Sequence, residues 1–208
     1  MINLAKRAAM ENVETILRFW FGTADDDLEV AEQCARLWWK KNPQVDNEIR
    51  ERFAAVLEAA VNGERDEWLK DARGRLALII VADQFSRNMY RDTPRAFAAD
   101  KFSLSWCKDG LEIGADRALR PIERVFVYMP LEHSESIDDQ NRSVALFSDL
   151  AASVPSGQRK LFDGYVDFAV RHREIVQRFG RFPHRNAILG RESTAEEVDF
   201  LQQPGSSF

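Results

Sequence analysis

Apolar residues recur at intervals of three and four along most of the chain, which is the period of a helix with one buried face. Alternating strand patterns bounded by hairpin turns are absent from the sequence. We therefore predict an all-α fold of about nine helices. The short connections favour antiparallel neighbours, in a bundle or a curved stack of helical hairpins, although no regular tetratricopeptide repeat is visible.

Caps and helix breakers set the predicted bounds of these helices. The helices are expected at about 12–21, 25–41, 43–63, 73–90, 93–110, 121–130, 136–152, 159–179 and 193–203. Thr93 is expected to cap the helix that Pro94 begins, and Pro130 is expected to break or kink its helix. The segments 136–139 and 193–196 resemble capping boxes at the starts of two further helices.

One predicted helix differs from the others because its apolar residues cover every face. It contains the run Leu76-Ala-Leu-Ile-Ile-Val-Ala82. A helix that is apolar all round is packed on all sides. We therefore expect this helix to be the central element of the fold.

Composition narrows the class of protein without identifying a reaction. The chain has 208 residues, 45% of them hydrophobic, and a net charge of −5 from 29 basic and 34 acidic residues. These values predict a globular protein, and they do not favour binding of nucleic acid or a membrane surface by overall positive charge. We expect residues 12–208 to form a single helical domain and residues 1–11 to be a flexible N-terminal extension.

Cysteine content and targeting signals bear on where the protein is located. Cys34 and Cys107 have no paired spacing, so the sequence predicts neither a disulfide framework nor a zinc motif. The first residues lack the apolar run of a signal peptide, and no apolar run is long enough to cross a bilayer. We expect a cytoplasmic protein without a membrane partner.

The first candidate for chemistry lies at the end of the central helix. Asp83 and Arg87 are four residues apart on the same face as Leu76, so both charges are expected to point inward. Burying either charge without a partner would cost several kcal/mol. Two interpretations stay open: an internal ion pair that fixes the packing, or a pair that also meets a ligand.

The second candidate is the set of three histidines. His172 lies on the apolar face of its helix, whereas His133 and His184 each follow a predicted helix end. Glu132 or Glu135 could pair with a histidine for acid–base chemistry. No two of these donors have the spacing of a metal motif on one helix, so the sequence predicts no metal site and no cofactor.

The third candidate is a segment rich in arginine. Residues 171–191 contain six arginines, one glutamate and no lysine, in a chain that is acidic as a whole. The guanidinium group suits carboxylates and phosphates. Anion binding and an ordinary solvated helix face are the two interpretations of this segment.

Four longer motifs occur in order along the chain. They are Asp83-Gln-Phe-Ser-Arg-Asn-Met-Tyr-Arg91, Leu131-Glu-His-Ser-Glu135, Arg178-Phe-Gly-Arg-Phe-Pro-His-Arg-Asn186 and Pro204-Gly-Ser-Ser-Phe208. From about Val13 to Phe208 the chain resembles the DUF924 family, whose members are bacterial and mostly uncharacterised. The resemblance implies a tetratricopeptide-like, right-handed α-superhelix, and it implies no catalytic residues. Its signature positions are Asp83, Gln84, Arg87, Asn88, Glu132, His133, Glu135, His184, Arg185 and Asn186.

Polar signatures at several helix ends predict one shared groove on the inner side of a curved helical stack. We predict a binding protein whose groove holds a small anionic ligand or a carboxylate-bearing peptide. The candidate residues are Asp83, Gln84, Arg87, Asn88, Glu132, His133, Glu135, His172, Arg181, His184, Arg185 and Asn186. Arg87 and Arg185 are expected to hold the anion.

Two other classes of function stay open. One is a hydrolase-like enzyme that uses histidine and glutamate in acid–base or metal chemistry. The other is a scaffold for a protein partner, anchored by exposed aromatic residues such as Trp38, Trp39 or Trp68.

Overall fold

A computed structural model describes residues 11–207, and nine α-helices account for most of this part of the chain. They are α1 (Val13–Phe21), α2 (Asp27–Trp39), α3 (Pro43–Val61), α4, α5 (Asp100–Glu112), α6 (Pro121–Glu132), α7 (Ile137–Ser153), α8 (Arg159–Phe179) and α9 (Ala195–Leu201). Helix α4 comprises Ala72–Ile79, a π-helical turn Ile80–Phe85 and Ser86–Met89 without interruption. Short 3-10 turns cover Asp66–Lys70, Pro94–Phe97, Ala115–Ala118 and Pro183–Arg185.

The predicted all-α class is confirmed, since residues 11–207 contain no strand. None of the helices in this part of the chain is both long and apolar enough to cross a membrane. A regular right-handed superhelix stays a prediction. The expected N-terminal extension falls on residues 1–10, outside the described residues, except for Glu11. That carboxylate accepts a 2.9 Å hydrogen bond from Arg52 of α3.

Helix α4 is the central element, as its all-round apolar sequence predicts. Residues 76–82 are each at most 1% exposed. The helix packs against α1, α3, α5 and α6. Burying one Leu or Ile side chain stabilises a fold by about 1.5–3 kcal/mol, so this segment is a large part of the apolar core.

An aromatic cluster joins α4 to three other helices. The Trp20 ring lies 5.4 Å from the Phe85 ring and 5.5 Å from the Phe126 ring, and the Trp38 ring lies 4.8 Å from Phe126. The indole N–H of Trp38 donates to the carbonyl O of Trp20 at 2.9 Å. The cluster therefore fixes α1, α2, α4 and α6 relative to one another.

The tryptophans proposed as partner anchors differ in exposure. Trp38 is buried in the aromatic cluster, so its expected role as an exposed anchor is wrong. Trp68 is half-buried beneath the guanidinium of Arg65. Only Trp39 of the three is half exposed, at 50%.

Pro130 was predicted to break or kink its helix, and the structure shows no break. Helix α6 runs through it to Glu132, and the backbone N–H of His133 donates to the Met129 carbonyl at 2.8 Å. Proline removes only its own N–H bond, and it lies within the last turn of the helix. His133 consequently sits directly at the helix end.

The helix predicted from Thr93 onward is interrupted. The Thr93 hydroxyl donates to the carbonyl of Tyr90 at 2.7 Å, so it completes the preceding turn instead of capping a new helix. A 3-10 turn follows over Pro94–Phe97, and α5 begins only at Asp100. This offset places Asp100 opposite the end of α4.

The two predicted capping boxes differ from the structure. Ser136 precedes α7 but makes no capping hydrogen bond, because Ser134 donates to Asp139 at 2.8 Å in its place. The box of the last helix lies one residue later than the 193–196 segment. There, Thr194 and Glu197 bond reciprocally at 3.2 and 2.8 Å.

Candidate functional site

The end of α4 departs from regular α-helical geometry where it carries a buried carboxylate. The π-helical turn Ile80–Phe85 contains Asp83, and the Ser86 hydroxyl donates to the Ala82 carbonyl at 2.6 Å within this stretch. Single π-helical turns inside α-helices occur frequently at functional sites. The π-helical turn therefore marks Asp83 as the centre of the candidate site.

Asp83 is bound from three sides. Its Oδ1 accepts from His133 Nδ1 at 2.8 Å and lies 3.1 Å from a guanidinium nitrogen of Arg87. Its Oδ2 accepts from the side-chain amide of Gln84 at 2.6 Å. Burial alone would raise the pKa of Asp83, but Arg87 and His133 outweigh it, and the net pKa lies below the usual range. The carboxylate is therefore ionised at neutral pH.

Arg87 is occupied by the protein itself. Its two terminal nitrogens donate to the two oxygens of Asp100 at 3.0 and 3.1 Å, and one also donates to the backbone carbonyl of Asp83 at 2.7 Å. The internal ion pair considered from the sequence is thus present, with Asp100 as an additional partner. These bonds pair both terminal nitrogens with acceptors of the protein, and the expected role of Arg87 in holding an anion stays a prediction.

The geometry fixes the proton position on two histidines. His133 Nδ1 faces the ionised Asp83, and His172 Nδ1 faces the carbonyl of Phe168 at 2.8 Å. Both partners only accept hydrogen bonds, so each Nδ1 carries the proton. The Nε2 atom of each neutral ring is then the nitrogen with a lone pair.

The three histidines of the chain converge in one place. The ring of His172 lies 6.2 Å from that of His133 and 5.6 Å from Phe182, and His184 lies 5.6 Å from Phe182 on its other side. Burial lowers the pKa of His172 to about 3 and that of His184 to about 4, aided by neighbouring His133 and Arg185 respectively. Both rings are neutral at physiological pH.

Glu132 is buried beside these rings with little compensation for a negative charge. Its Oε1 lies 3.3 Å from His172 Nδ1, and no lysine or arginine of residues 11–207 lies within 4.0 Å of it. Burial, and then the charge of Asp83, raise the pKa of Glu132 to about 8. The carboxyl group is therefore mostly protonated at pH 7.

Arg185 enters the site from the short turn Pro183–Arg185. Its guanidinium lies 4.9 Å from the Phe97 ring and 4.4 Å from the Phe182 ring, and it donates one hydrogen bond, 3.0 Å, to the carbonyl of His133. Its Nε is buried and has no hydrogen-bond partner among the described residues. Burial, followed by the charge of Arg87, lowers the pKa of Arg185 to about 10, so it remains charged.

These residues form one group, which we call the central polar cluster. Its members are Asp83, Arg87, Asp100, Glu132, His133, His172, His184 and Arg185. Exposure rises from 1% at the Asp83 side chain to 16% at His133, 20% at Arg87 and 27% at Asp100. The cluster therefore has a buried floor and a rim that reaches solvent.

Two predicted site residues are used for packing near the cluster. Asn88 donates to Asp46 of α3 at 2.8 Å, on another side of α4. Glu135 accepts two bonds from Arg191, at 2.6 and 2.9 Å, and one from the backbone of Phe182 at 2.8 Å. Although burial acts against them, these donors lower the pKa of Glu135. Glu135 thus holds the Phe182 loop in place.

Arg181 and Asn186 belong to a second polar network at the C-terminal end. Arg181 donates to both oxygens of Glu197, at 2.7 and 2.8 Å, and Asn186 donates to Ser193 at 3.0 Å. A depression on this side is lined partly by Arg181 and Glu197, whose charges are already paired. Arg181 and Asn186 therefore lie outside the central polar cluster.

Sequence reasoning missed Asp100 and Phe97. Asp100 is the first residue of α5 and reads in the sequence as an ordinary acidic residue in a first helical turn. Phe97 lies in the 3-10 turn before it, where no periodic pattern marks it. Only the fold brings them against Arg87 and Arg185.

A possible metal-binding group also depends on the fold. Glu132, His133 and His172 each offer one ligand atom, and these atoms lie within 4.8 Å of one another. They come from the end of α6 and the middle of α8, about forty residues apart, a spacing that no local metal motif describes. The absence of such a motif is why the sequence predicts no metal site.

Comparison with known proteins adds a family match. The family model described as "Bacterial protein of unknown function (DUF924)" matches residues 16–205. A similar solved structure is that of a protein of unknown function, ATU0120, from Agrobacterium tumefaciens. The two sequences are 34% identical, and the structures superpose with a TM-score of 0.76. The match covers 96% of this chain and 99% of the other. No curated protein matches the chain.

Proposed function

Since the chain belongs to the DUF924 family, whose description assigns no function, we propose from its own residues that it binds a small oxyanion at Arg185 in the central polar cluster. The oxyanion is a carboxylate or a phosphate, either on a free small molecule or at the end of a peptide. This proposal keeps the anion predicted from the sequence. Of the two arginines predicted to hold the anion, Arg87 and Arg185, it assigns the contact to Arg185.

The observation that carries the proposal is the incomplete bonding of Arg185. The residue is 7% exposed, yet its guanidinium makes one hydrogen bond and no ion pair within 4.0 Å among residues 11–207. A buried donor without an acceptor costs about 1–3 kcal/mol. An oxyanion would supply the missing acceptors in the bidentate geometry that guanidinium groups favour.

The surroundings of Arg185 support a ligand site more than a packing contact. Phe97 and Phe182 lie close to the guanidinium and exclude water from it, which strengthens its attraction for a negative charge. In this proposal the anion enters beside Phe97, which is only half-buried. The partly exposed rim of the cluster is then the mouth of the groove predicted from the sequence.

Two broader expectations belong to the same proposal. The groove would lie on the inner side of a tetratricopeptide-like superhelix, the arrangement that such folds use for binding. The protein would act in the cytoplasm, consistent with free, buried Cys34 and Cys107.

The proposal is tested by thermal unfolding with a panel of anions at constant ionic strength. The panel is inorganic phosphate, acetate, succinate, and one tripeptide with either a free or an amidated C-terminus. A ligand at ten times its Kd stabilises the fold by about 1.4 kcal/mol, which raises the Tm by about 3–6 °C for a chain of this size. The panel separates phosphate, small carboxylates and peptide carboxylates.

Two variants locate the effect. Arg185→Gln should abolish the rise in Tm while changing the free energy of unfolding by less than about 1 kcal/mol. The matched control is Arg178→Gln, from the same arginine-rich segment, whose exposed side chain pairs with Glu196. It should respond to the anion as the wild type does. If Arg185→Gln loses stability but its Tm still rises with the anion, Arg185 has a structural role and does not bind the anion.

A further inference from the structure

We propose that Glu132, His133 and His172 form a binding site for a divalent transition-metal ion with the ligand preferences of Zn²⁺. The site lies on the floor of the central polar cluster. This inference goes beyond the oxyanion at Arg185 and does not depend on it, because none of the three donors is needed for that contact.

The first argument is the position of the donor atoms. One atom from each residue lies within 4.8 Å of the others. In a tetrahedral zinc site with bonds of about 2.0–2.1 Å, ligand atoms are about 3.4 Å apart. Side-chain rotations that move the donor atoms by little more than an ångström therefore bring all three within bonding distance of one metal ion.

The second argument is the orientation of the imidazole rings. Metal-ligating histidines almost always donate their second N–H to a carboxylate or a backbone carbonyl. Asp83 provides that acceptor for His133, and the Phe168 carbonyl provides it for His172, each at 2.8 Å. His133 is thus held with Nε2 as the nitrogen that can bind a metal. In His172 the nitrogen that faces Glu132 Oε1, at 3.3 Å, is Nδ1, so this ring must turn before its Nε2 can bind the same ion.

The third argument is the charge around Glu132. The carboxyl group is buried, its Oε1 lies 3.3 Å from His172 Nδ1, and no lysine or arginine of the described residues lies within 4.0 Å of it. Arg87 is engaged with Asp83 and Asp100, so the charged form of Glu132 requires a cation from outside the protein. A divalent cation bound by Glu132 would fill that place.

The donor types select the class of metal. Two imidazole nitrogens and one carboxylate oxygen suit zinc and related transition-metal ions, whereas magnesium and calcium require mainly oxygen donors. Three protein ligands also leave a coordination position open, as in catalytic zinc sites. The open position would give the hydrolase-like alternative a structural basis.

The test is a metal titration of the untagged full-length protein after treatment with EDTA and buffer exchange. Zn²⁺ is added in competition with a chromophoric chelator, and metal content is measured by elemental analysis. We expect one zinc ion per chain. Glu132→Gln and His172→Asn should each weaken binding by about 100-fold or more, since even second-sphere changes cost 10–100-fold. Bound Co²⁺ should give visible absorption bands that disappear in both variants.

Glu174→Gln is the matched control, because Glu174 is an exposed carboxylate on α8, the helix that carries His172, and is outside the donor group. It should bind Zn²⁺ as tightly as the wild type. If His172→Asn does not fold, the nearly isosteric Glu132→Gln carries the test, with circular dichroism confirming its fold. Absence of saturable Zn²⁺ binding, or equal binding by the wild type and Glu132→Gln, would overturn the proposal.

Discussion

Replacing Asp83 with asparagine should destabilise the protein more than any other single carboxylate-to-amide change in the central polar cluster. The Asp83 side chain is 1% exposed and is bound by Arg87, His133 and Gln84. Asparagine removes the charge and presents an amide to at least one of these donors. Removing one partner of a buried ion pair costs about 3–5 kcal/mol.

Asp100→Asn is the matched control, since Asp100 contacts the same guanidinium. Its side chain is 27% exposed, and Arg87 would keep Asp83 as a partner. A hydrogen bond to a charged group is worth about 1.5–3 kcal/mol, and exposure reduces this, so we expect a loss of about 1–2 kcal/mol. Urea unfolding at pH 7, followed by circular dichroism, measures both losses, provided that the m values are unchanged.

The difference between the two variants carries the test. We expect Asp83→Asn to be less stable than Asp100→Asn by about 2 kcal/mol, which corresponds to about 4–8 °C in Tm. If Asp83→Asn costs less than about 1 kcal/mol, or no more than Asp100→Asn, Asp83 is not the centre of the network.

Further predictions concern packing and pH. Gly74→Ala should destabilise the fold by at least about 1–3 kcal/mol, because the new Cβ would overlap the backbone carbonyl of Trp68. Gly164→Ala in α8, where the Cβ meets nothing within 4 Å, should instead stabilise by about 0.5–1 kcal/mol; similar effects from both changes in urea unfolding would contradict this. Hydrogen bonds from Arg181 lower the pKa of Glu197 from 4.5 to about 2. The stability that Glu197 contributes is therefore complete above pH 4.5 and lost as the pH falls toward 2. Glu197→Gln should be less stable than wild type at pH 7, and that difference should shrink over this range; a difference independent of pH would refute the argument.

Much of the helical framework was predictable because its signals are local. The period of apolar residues correctly indicates α1, α3 and α8, and the all-round apolar run at 76–82 correctly identifies the central helix. The boundary errors arise where a nearby group competes for the same hydrogen bond. Ser134, and not Ser136, donates a hydrogen bond to Asp139. The Thr93 hydroxyl donates to the carbonyl of Tyr90 and therefore does not cap the next helix.

The site was predictable in its members but not in its connections. Asp83, His133 and Arg185 were identified from the sequence, and the structure places them together. The bond between Asp83 and His133 spans 50 residues, so it depends on how α4 packs against α6. Asp100 carries no local sign of its role, so the sequence did not show that a second carboxylate pairs with Arg87.

The same limit explains the candidates that lie elsewhere. Asn88 and Arg181 belong to the same sequence motifs as cluster residues, yet they point to Asp46 and Glu197 respectively. Neighbouring residues on a helix face different directions, so membership in a motif does not establish membership in a site.

The most direct test of the central claim is a crystal structure with the panel anion that raises the Tm most. The account predicts an anion oxygen about 2.7–2.9 Å from Nε of Arg185, the distance of a charge-assisted hydrogen bond. It also predicts that this electron density is absent from crystals of Arg185→Gln grown under the same conditions. Density for the anion only at Arg178 or Arg181, or at the cluster in both proteins, would contradict the assignment of Arg185 as the binding residue.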